Sequence, residues 1–353
     1  MKCQFYSESY FAPVPIAISR IFRSSMVSRI VPGFFRKIKR VRMKKCRCAC
    51  TGSTILRRKE NEMIHRYYKE GQKLDVAGLN QITVLIDRSE TELTEVALNE
   101  WHAHLNGPPH KHDQKEQVFY IVSGEGIVIV GNDKFNVKQG NLIYVPTGVV
   151  HQTITTSAEP LGYILFNIFN SKEKEGHASF AEHIEKVKQT RRKQADSGQA
   201  KVAGSEQTDS ADSQGKFIAD VFQGKKYEFG SNDTLLHIDR TETEKFEFVV
   251  VRWQPGSKGA MVAHKEKEQT FYILNGSGAV TIGNESENVK PGDIVFVPRN
   301  TPHTTETGDE QLTYLCLNSI VDKTQDESFD AMYRRIAPQR MERWKSGDTS
   351  VGE

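Results

Sequence analysis

The sequence predicts an all-β chain built from two tandem copies of one small barrel- or sandwich-like domain, each copy followed by an α-helix. Three observations carry this. A block of sequence returns at a fixed offset of 152 residues. Each copy is a run of short β-branched and aromatic segments bounded by glycine turns. Behind each run lies one stretch whose apolar residues recur with helical spacing.

The repeat is ungapped over many positions. Ile86-Asp87-Arg88-Ser89-Glu90-Thr91 returns as Ile238-Asp239-Arg240-Thr241-Glu242-Thr243, Trp101 as Trp253, and Glu116-Gln117 as Glu268-Gln269. Gly124, Gly140, Pro146 and His151 return as Gly276, Gly292, Pro298 and His303. In the first copy Val118 to Val122 and Ile127 to Val130 read as strands, punctuated by Gly124-Glu125-Gly126 and Gly131-Asn132-Asp133. Leu142 to Val145 reads as a third, running into Pro146-Thr147-Gly148. Phe180, Ile184 and Val187 mark the helix of the first copy, and Phe329, Met332, Tyr333 and Ile336 that of the second; both stripes read as packing surfaces against the β-structure. The expected layout is a basic leader over 1–62, a first domain over 63–170, a helix over 171–195, and a flexible linker over 196–216. A second domain follows over 217–320, then a C-terminal helix and tail over 321–353.

The chain has 353 residues and a net charge of +3, with 37% hydrophobic and 26% charged residues, a globular composition. Near-neutrality hides an asymmetry. The first 60 residues carry 15 Lys and Arg against Glu8 and Glu60, so the remainder is acidic. An acidic body lacks the basic surplus that binding to nucleic acid requires. No apolar run is long enough to span a bilayer; the best, Tyr10 to Phe35, is cut by Arg20, Arg23 and Arg29. The leader reads as an artefact of an upstream start, with Met63 the true first residue and 1–62 disordered or not native; organelle targeting or a disordered basic arm are the alternatives. It holds Cys3, Cys46, Cys48 and Cys50, in a spacing unlike the usual zinc sites. Cys316 alone remains in the body, which points to a reducing, cytoplasmic setting.

The chemistry concentrates in the first copy. In Pro109-His110-Lys111-His112 the two histidines alternate, so on a strand both point to one face. His151 follows the Pro146-Thr147-Gly148 turn. Isolated histidines are usually surface or core residues; three brought into one β-shell can hold a divalent metal. His102 and His104 also alternate and are read as surface residues.

The two blocks resemble the paired motifs of the cupin superfamily: a His-x-His block ending at a glycine, then Gly-x5-Pro-x-Gly-x2-His. The resemblance covers about residues 75–170 and, more weakly, 230–320, so the chain looks like a bicupin. It implies two tandem jelly-roll-like β-barrels, with one divalent transition metal (iron, manganese, nickel or zinc) on three histidines and a carboxylate or amide. The family's usual glutamate lies seven residues before the motif glycine, and that count lands on Gln117, with Glu116 one step off. Gln117 shares its face with Phe119 and Ile121 and is therefore assigned inward. The implied ligands are His110, His112, Gln117 and His151, with Glu116 behind them as an orienting group. An amide in place of the carboxylate leaves the metal more electrophilic and removes a base, which counts against oxalate-decarboxylase-like chemistry.

In the second copy Val262 stands where His110 would be and Asn300 where Gly148 would be, leaving His264, Gln269 and His303 as a weak second site. The fold hosts many reactions. The expected function is a metal-dependent, dioxygenase-like enzyme acting on a small organic molecule. The alternatives are a sugar or sugar-phosphate isomerase using Lys111 and Lys115, and a non-catalytic binding, sensor or storage protein. Assembly is expected as a homo-oligomer or as an intramolecular pseudo-dimer.

Overall fold

The computed structural model describes residues 63–174, 176–196, 215–323, 327–348 and 350–352. The expectations about the leader, its cysteines and the interior of the linker fall outside these residues. Among the described residues strands dominate, and the α-helices are α1 (Phe180–Asp196) and α2 (Phe329–Ser346). No helix among the described residues is long and apolar enough to cross a membrane.

Each copy forms a two-sheet lobe. In lobe one the large sheet runs, from edge to edge, Lys216–Ile218, Leu142–Val145, Lys115–Ser123, Leu161–Phe169, Thr94–Trp101, Asn80–Ile86 and Gln72–Val76. A small sheet of Asp133–Lys138, Glu125–Val130 and His151–Thr155 faces it. Lobe two repeats this arrangement, with Ile64–Tyr67 at the edge of its large sheet beside Asp293–Val297. The edge strands are thus exchanged. The first described strand belongs to lobe two, and Lys216–Ile218, beyond the linker, pairs with Leu142–Val145 of lobe one. Both strands cross the boundaries expected from the sequence, and each covers an edge that would otherwise carry unpaired backbone groups.

Strand alternation divides the side chains between two kinds of core. Along Lys115–Ser123, Phe119 and Ile121 enter the interior of lobe one with Trp101 and Leu165. Val118 and Tyr120, on the other face, meet Phe246, Phe248 and Tyr272 of lobe two. This inter-lobe layer is as dry as a core: Phe166, Phe246 and Phe248 are fully buried, with the Phe166 and Phe248 rings 5.5 Å apart. Each such side chain contributes about 1.5–3 kcal/mol by burial, which welds the lobes back to back.

The repeated Asp-Arg block anchors the helices. Asp87 Oδ2 accepts from the Phe180 N–H at 2.9 Å, and Asp239 Oδ2 from the Phe329 N–H at 3.0 Å. From these pins Phe180 and Ile184 of α1, and Phe329 and Met332 of α2, are buried against their own lobes. The motif turn also repeats: Gly148 sits at φ 77° and Asn300 at φ 58°. Asparagine is among the side-chain-bearing residues that best tolerate this left-handed region, so the exchange keeps the turn.

Candidate metal centre

His110 and His112 do not lie on a regular strand. They occupy the extended connection between Thr94–Trp101 and Lys115–Ser123, held by an isolated bridge between His110 and His151. The His110 N–H donates to the His151 carbonyl at 3.1 Å and the His151 N–H returns the bond at 2.8 Å. The Gly148 N–H donates to the His112 carbonyl at 2.8 Å. Main-chain bonds therefore lock the two motifs together, and the rings converge. Their centroids are 4.3 Å (His110–His151), 5.0 Å (His110–His112) and 5.3 Å (His112–His151) apart. One nitrogen from each lies within 4.8 Å of the others, close enough to share one ion.

The protonation states suit ligation. His110 Nδ1 is 3.0 Å from the Pro108 carbonyl and His151 Nδ1 is 3.3 Å from the Val149 carbonyl. A carbonyl only accepts, so in each ring Nδ1 carries the proton and Nε2 the lone pair. Burial holds His112 and His151 well below the usual imidazole range; Lys115 adds to the shift in both rings, as does the neighbouring charge of His110. Both rings are neutral at physiological pH.

The fourth position is set by a buried relay. Arg88 Nε donates to Glu95 Oε2 at 2.7 Å, in a fully buried pair. Asn167 Nδ2 donates to Glu95 Oε1 at 2.7 Å. Asn167 is thereby oriented to present its oxygen, which accepts from Gln117 Nε2 at 2.7 Å. Gln117 Oε1 is then left buried without a partner, in the wall the histidines share. An orphaned buried acceptor is costly unless something completes it. Three convergent imidazoles and one unfilled amide oxygen fit a divalent transition metal. Sequence reading missed Arg88, Glu95 and Asn167; the only trace was that the Asp-Arg block and Glu95 return at offset 152 as Arg240 and Glu247.

The centre opens on a cavity of about 500 Å³. Phe119, Leu165 and Trp101 form its apolar side, and α1 covers it with Phe180, His183 and Ile184. His102 and His104 lie in an exposed turn just beyond the end of Thr94–Trp101, not on the strand.

Glu116 is not behind the metal ligands. It is 1% exposed and faces lobe two, where it accepts from Tyr144 Oη at 2.6 Å and from the Glu244 and Lys245 N–H groups at 3.2 Å. Strand alternation turns it away from Gln117, and the face that receives it is the inter-lobe layer. Glu268 does the same in reverse: it accepts from the N–H groups of Glu92, Leu93 and Thr94 at 2.8–2.9 Å and from Thr94 Oγ1 at 2.6 Å.

Lobe two keeps the frame without the trio. Val262 bridges His303 as His110 bridges His151, and the His264 and His303 rings are 5.2 Å apart. Gln269 Oε1 is again buried and orphaned, with Gln269 Nε2 donating to Asn318 at 2.6 Å. The cavity shrinks to about 130 Å³ beneath α2, which adds Arg340 to its wall. Among the described residues, His110, His112 and His151 form the one group of three such ligands.

The duplicated double sheet, with three convergent histidines inside one copy, has its counterpart in the sequence: the chain carries two cupin domains. A family model for the cupin domain matches residues 100–167 and 249–318. An uncharacterized protein of Methanocaldococcus jannaschii is 42% identical over 62 residues, 17% of this chain and 50% of that protein. The chain thus spans about half the length of the curated relative it matches. Among solved structures, the protein Ylba of E. coli aligns with a TM-score of 0.53 at 14% identity, over 73% of this chain and 91% of that one. Oxalate decarboxylase of Bacillus subtilis aligns with a TM-score of 0.51 at 14% identity, over 73% and 76%. These likenesses establish the fold.

Proposed function

We propose that the chain is a metal-dependent enzyme of dioxygenase type, acting on a small organic molecule in the cavity of lobe one. The single observation that carries the reading is the convergence of three imidazoles on one partly open cavity whose wall also holds an orphaned amide oxygen. His110, His112, His151 and Gln117 would hold the ion, leaving positions for substrate. A bound redox-active metal supplies electrophilic and oxygen-binding chemistry there. The chain's own residues do the rest. Phe119 and Leu165 exclude water, and α1 covers a substrate once it is inside. The Arg88–Glu95–Asn167 relay fixes the amide so that its oxygen, not its nitrogen, is offered. Among the described residues no carboxylate lines this cavity, which counts against chemistry that needs a carboxylic acid or base beside the metal, decarboxylation included.

The test is elemental analysis of the full chain, followed by oxygen uptake with flavonols and dihydroxy-aromatic compounds. About one metal per chain and substrate-dependent uptake support the proposal. Absence of metal after reconstitution would overturn it, as would a metal-loaded protein that consumes no oxygen with any member of the panel.

A further inference from the structure

The narrow cavity of lobe two is bounded by a device that lobe one does not share among the described residues. Gly259, Ala260 and Val262 line one part of this space of about 130 Å³, and Ile336, Arg340 and Trp344 of α2 line another. The end of the chain ties these two walls together. α2 stops at Gly347, in the left-handed region at φ 67°, and the chain turns back. The Gly352 N–H donates to the Met261 carbonyl at 3.1 Å, and the Ala263 N–H donates to the Gly352 carbonyl at 2.8 Å. Gly352 thus forms a parallel bridge beside Val262. Arg343, in the last turn of α2, clamps the junction. Its Nη2 donates to the Met261 carbonyl at 3.1 Å and to the Ser350 carbonyl, and its Nε meets Asp348 Oδ2 at 3.4 Å. One guanidinium therefore joins helix, tail and cavity wall. In lobe one the corresponding residues, 109–111, are bridged by His151 alone among the described residues.

The hold is local and releasable. Val351 is 54% exposed, and residues 344–348 are all exposed, so main-chain bonds and Arg343, not apolar burial, keep the tail in place. The first half of α2 is fixed differently: Phe329 and Met332 are buried, and Asp239 pins its first turn. Between the halves stands Pro338, inside the helix, with no N–H to offer the Arg334 carbonyl. An anchored half, a proline and a latched half are the parts of a hinge, and Arg340 and Trp344 lie on its far side. Trp344 has a shaped seat, since its ring rests so close to Gly230 that a Cβ there would approach it to 2.6 Å.

We propose that the C-terminal tail is a releasable strap. Bound to residues 261–263, it holds the second half of α2 down on the lobe-two cavity and keeps that cavity narrow. Released, it lets α2 bend at Pro338, carries Arg340 and Trp344 outward, and admits small molecules to the interior where His303 lies.

The test is carbethoxylation of the full chain by diethyl pyrocarbonate, with each histidine read by peptide mass spectrometry. His303 lines the cavity and is 6% exposed, which makes it the reporter; His102 is exposed and serves as the standard. Two variants release the strap by different routes. Arg343→Met removes the clamp. Gly352→Val leaves α2 untouched, but its Cβ would fall on Arg343 Nη1. In both, His303 should react about 10- to 100-fold faster relative to His102 than in the unaltered chain, the factor expected when charge-assisted hydrogen bonds are lost. The gain should be flat in low urea, because a local opening exposes little surface, whereas whole-chain unfolding depends steeply on urea. Unchanged His303 reactivity in both variants would overturn the strap. A gain that follows urea as steeply as global denaturation would do the same, and so would loss of the native circular dichroism in both variants, since the tail would then be a part of the fold itself.

Discussion

Replacing Val262 by histidine should build a second metal site. The frame is already present. The Val262 N–H donates to the His303 carbonyl at 3.0 Å and the Val262 carbonyl accepts from the His303 N–H at 2.8 Å, against 3.1 and 2.8 Å at His110 and His151. A side chain at 262 therefore leaves the backbone as it does at 110. The other two rings are set as in lobe one, 5.2 Å apart against 5.3 Å, and Gln269 offers the same unfilled oxygen. Space is adequate, since a cavity of about 130 Å³ exceeds what an imidazole adds over an isopropyl group. A third imidazole should tighten binding at least about 100-fold, about 3 kcal/mol. Arg340 works against it: the guanidinium lines this cavity, and its charge helps to depress both His264 and His303. Adding Arg340→Met should therefore gain roughly a further tenfold. Equilibrium dialysis with Zn²⁺ or Co²⁺, followed by elemental analysis, should rise from one metal per chain to two, with circular dichroism to establish the fold. A folded double variant that still binds one ion would refute the claim that a single missing ring separates the copies.

His110→Ala should lose the ion from lobe one while keeping the melting profile of the metal-free protein, read by elemental analysis beside thermal denaturation. Gln117→Glu should bind metal more tightly yet destabilise the metal-free chain by about 1–3 kcal/mol, because Asn167 is held with its oxygen toward position 117 and would face another acceptor; unchanged urea stability would contradict the relay. Glu268→Ala strands the Glu92, Leu93 and Thr94 N–H groups and should cost about 3–5 kcal/mol with no change in metal content; loss of metal without loss of stability would overturn the inter-lobe role. For pH, burial depresses His112, His151 and His264, and brings His303 down to about 4. The unfolded chain takes up protons from about pH 6.5 downward while these folded rings do not, so metal-free stability should fall as pH drops below 6.5. For His303 the loss is about 2 kcal/mol at pH 5, read by denaturant titration.

Much of this was legible in the sequence because the chain states its plan twice. The offset of 152 disclosed the duplication, alternation placed Gln117 on the face of Phe119 and Ile121, and Val262 marked the copy that lacks the trio. What escaped has a common cause. Glu116 was read against its own copy, yet the face it occupies is completed by Glu244 and Lys245, 128 and 129 residues away. A one-copy pattern cannot distinguish a solvent face from one covered by the other copy. The exchange of Ile64–Tyr67 and Lys216–Ile218 is hidden for the same reason, since edge pairing is decided by topology and not by local periodicity.

The traded edge strands and the reciprocal Glu116 and Glu268 clasps carry a historical implication. They are the features expected of two identical chains that once embraced as a symmetric pair and were later joined end to end. In such a lineage the second half cannot be discarded, since the first depends on it for an edge and a clasp, but its own interior is released from selection. Erosion of one ligand at Val262 is then the tolerated drift of a subunit retained as a brace.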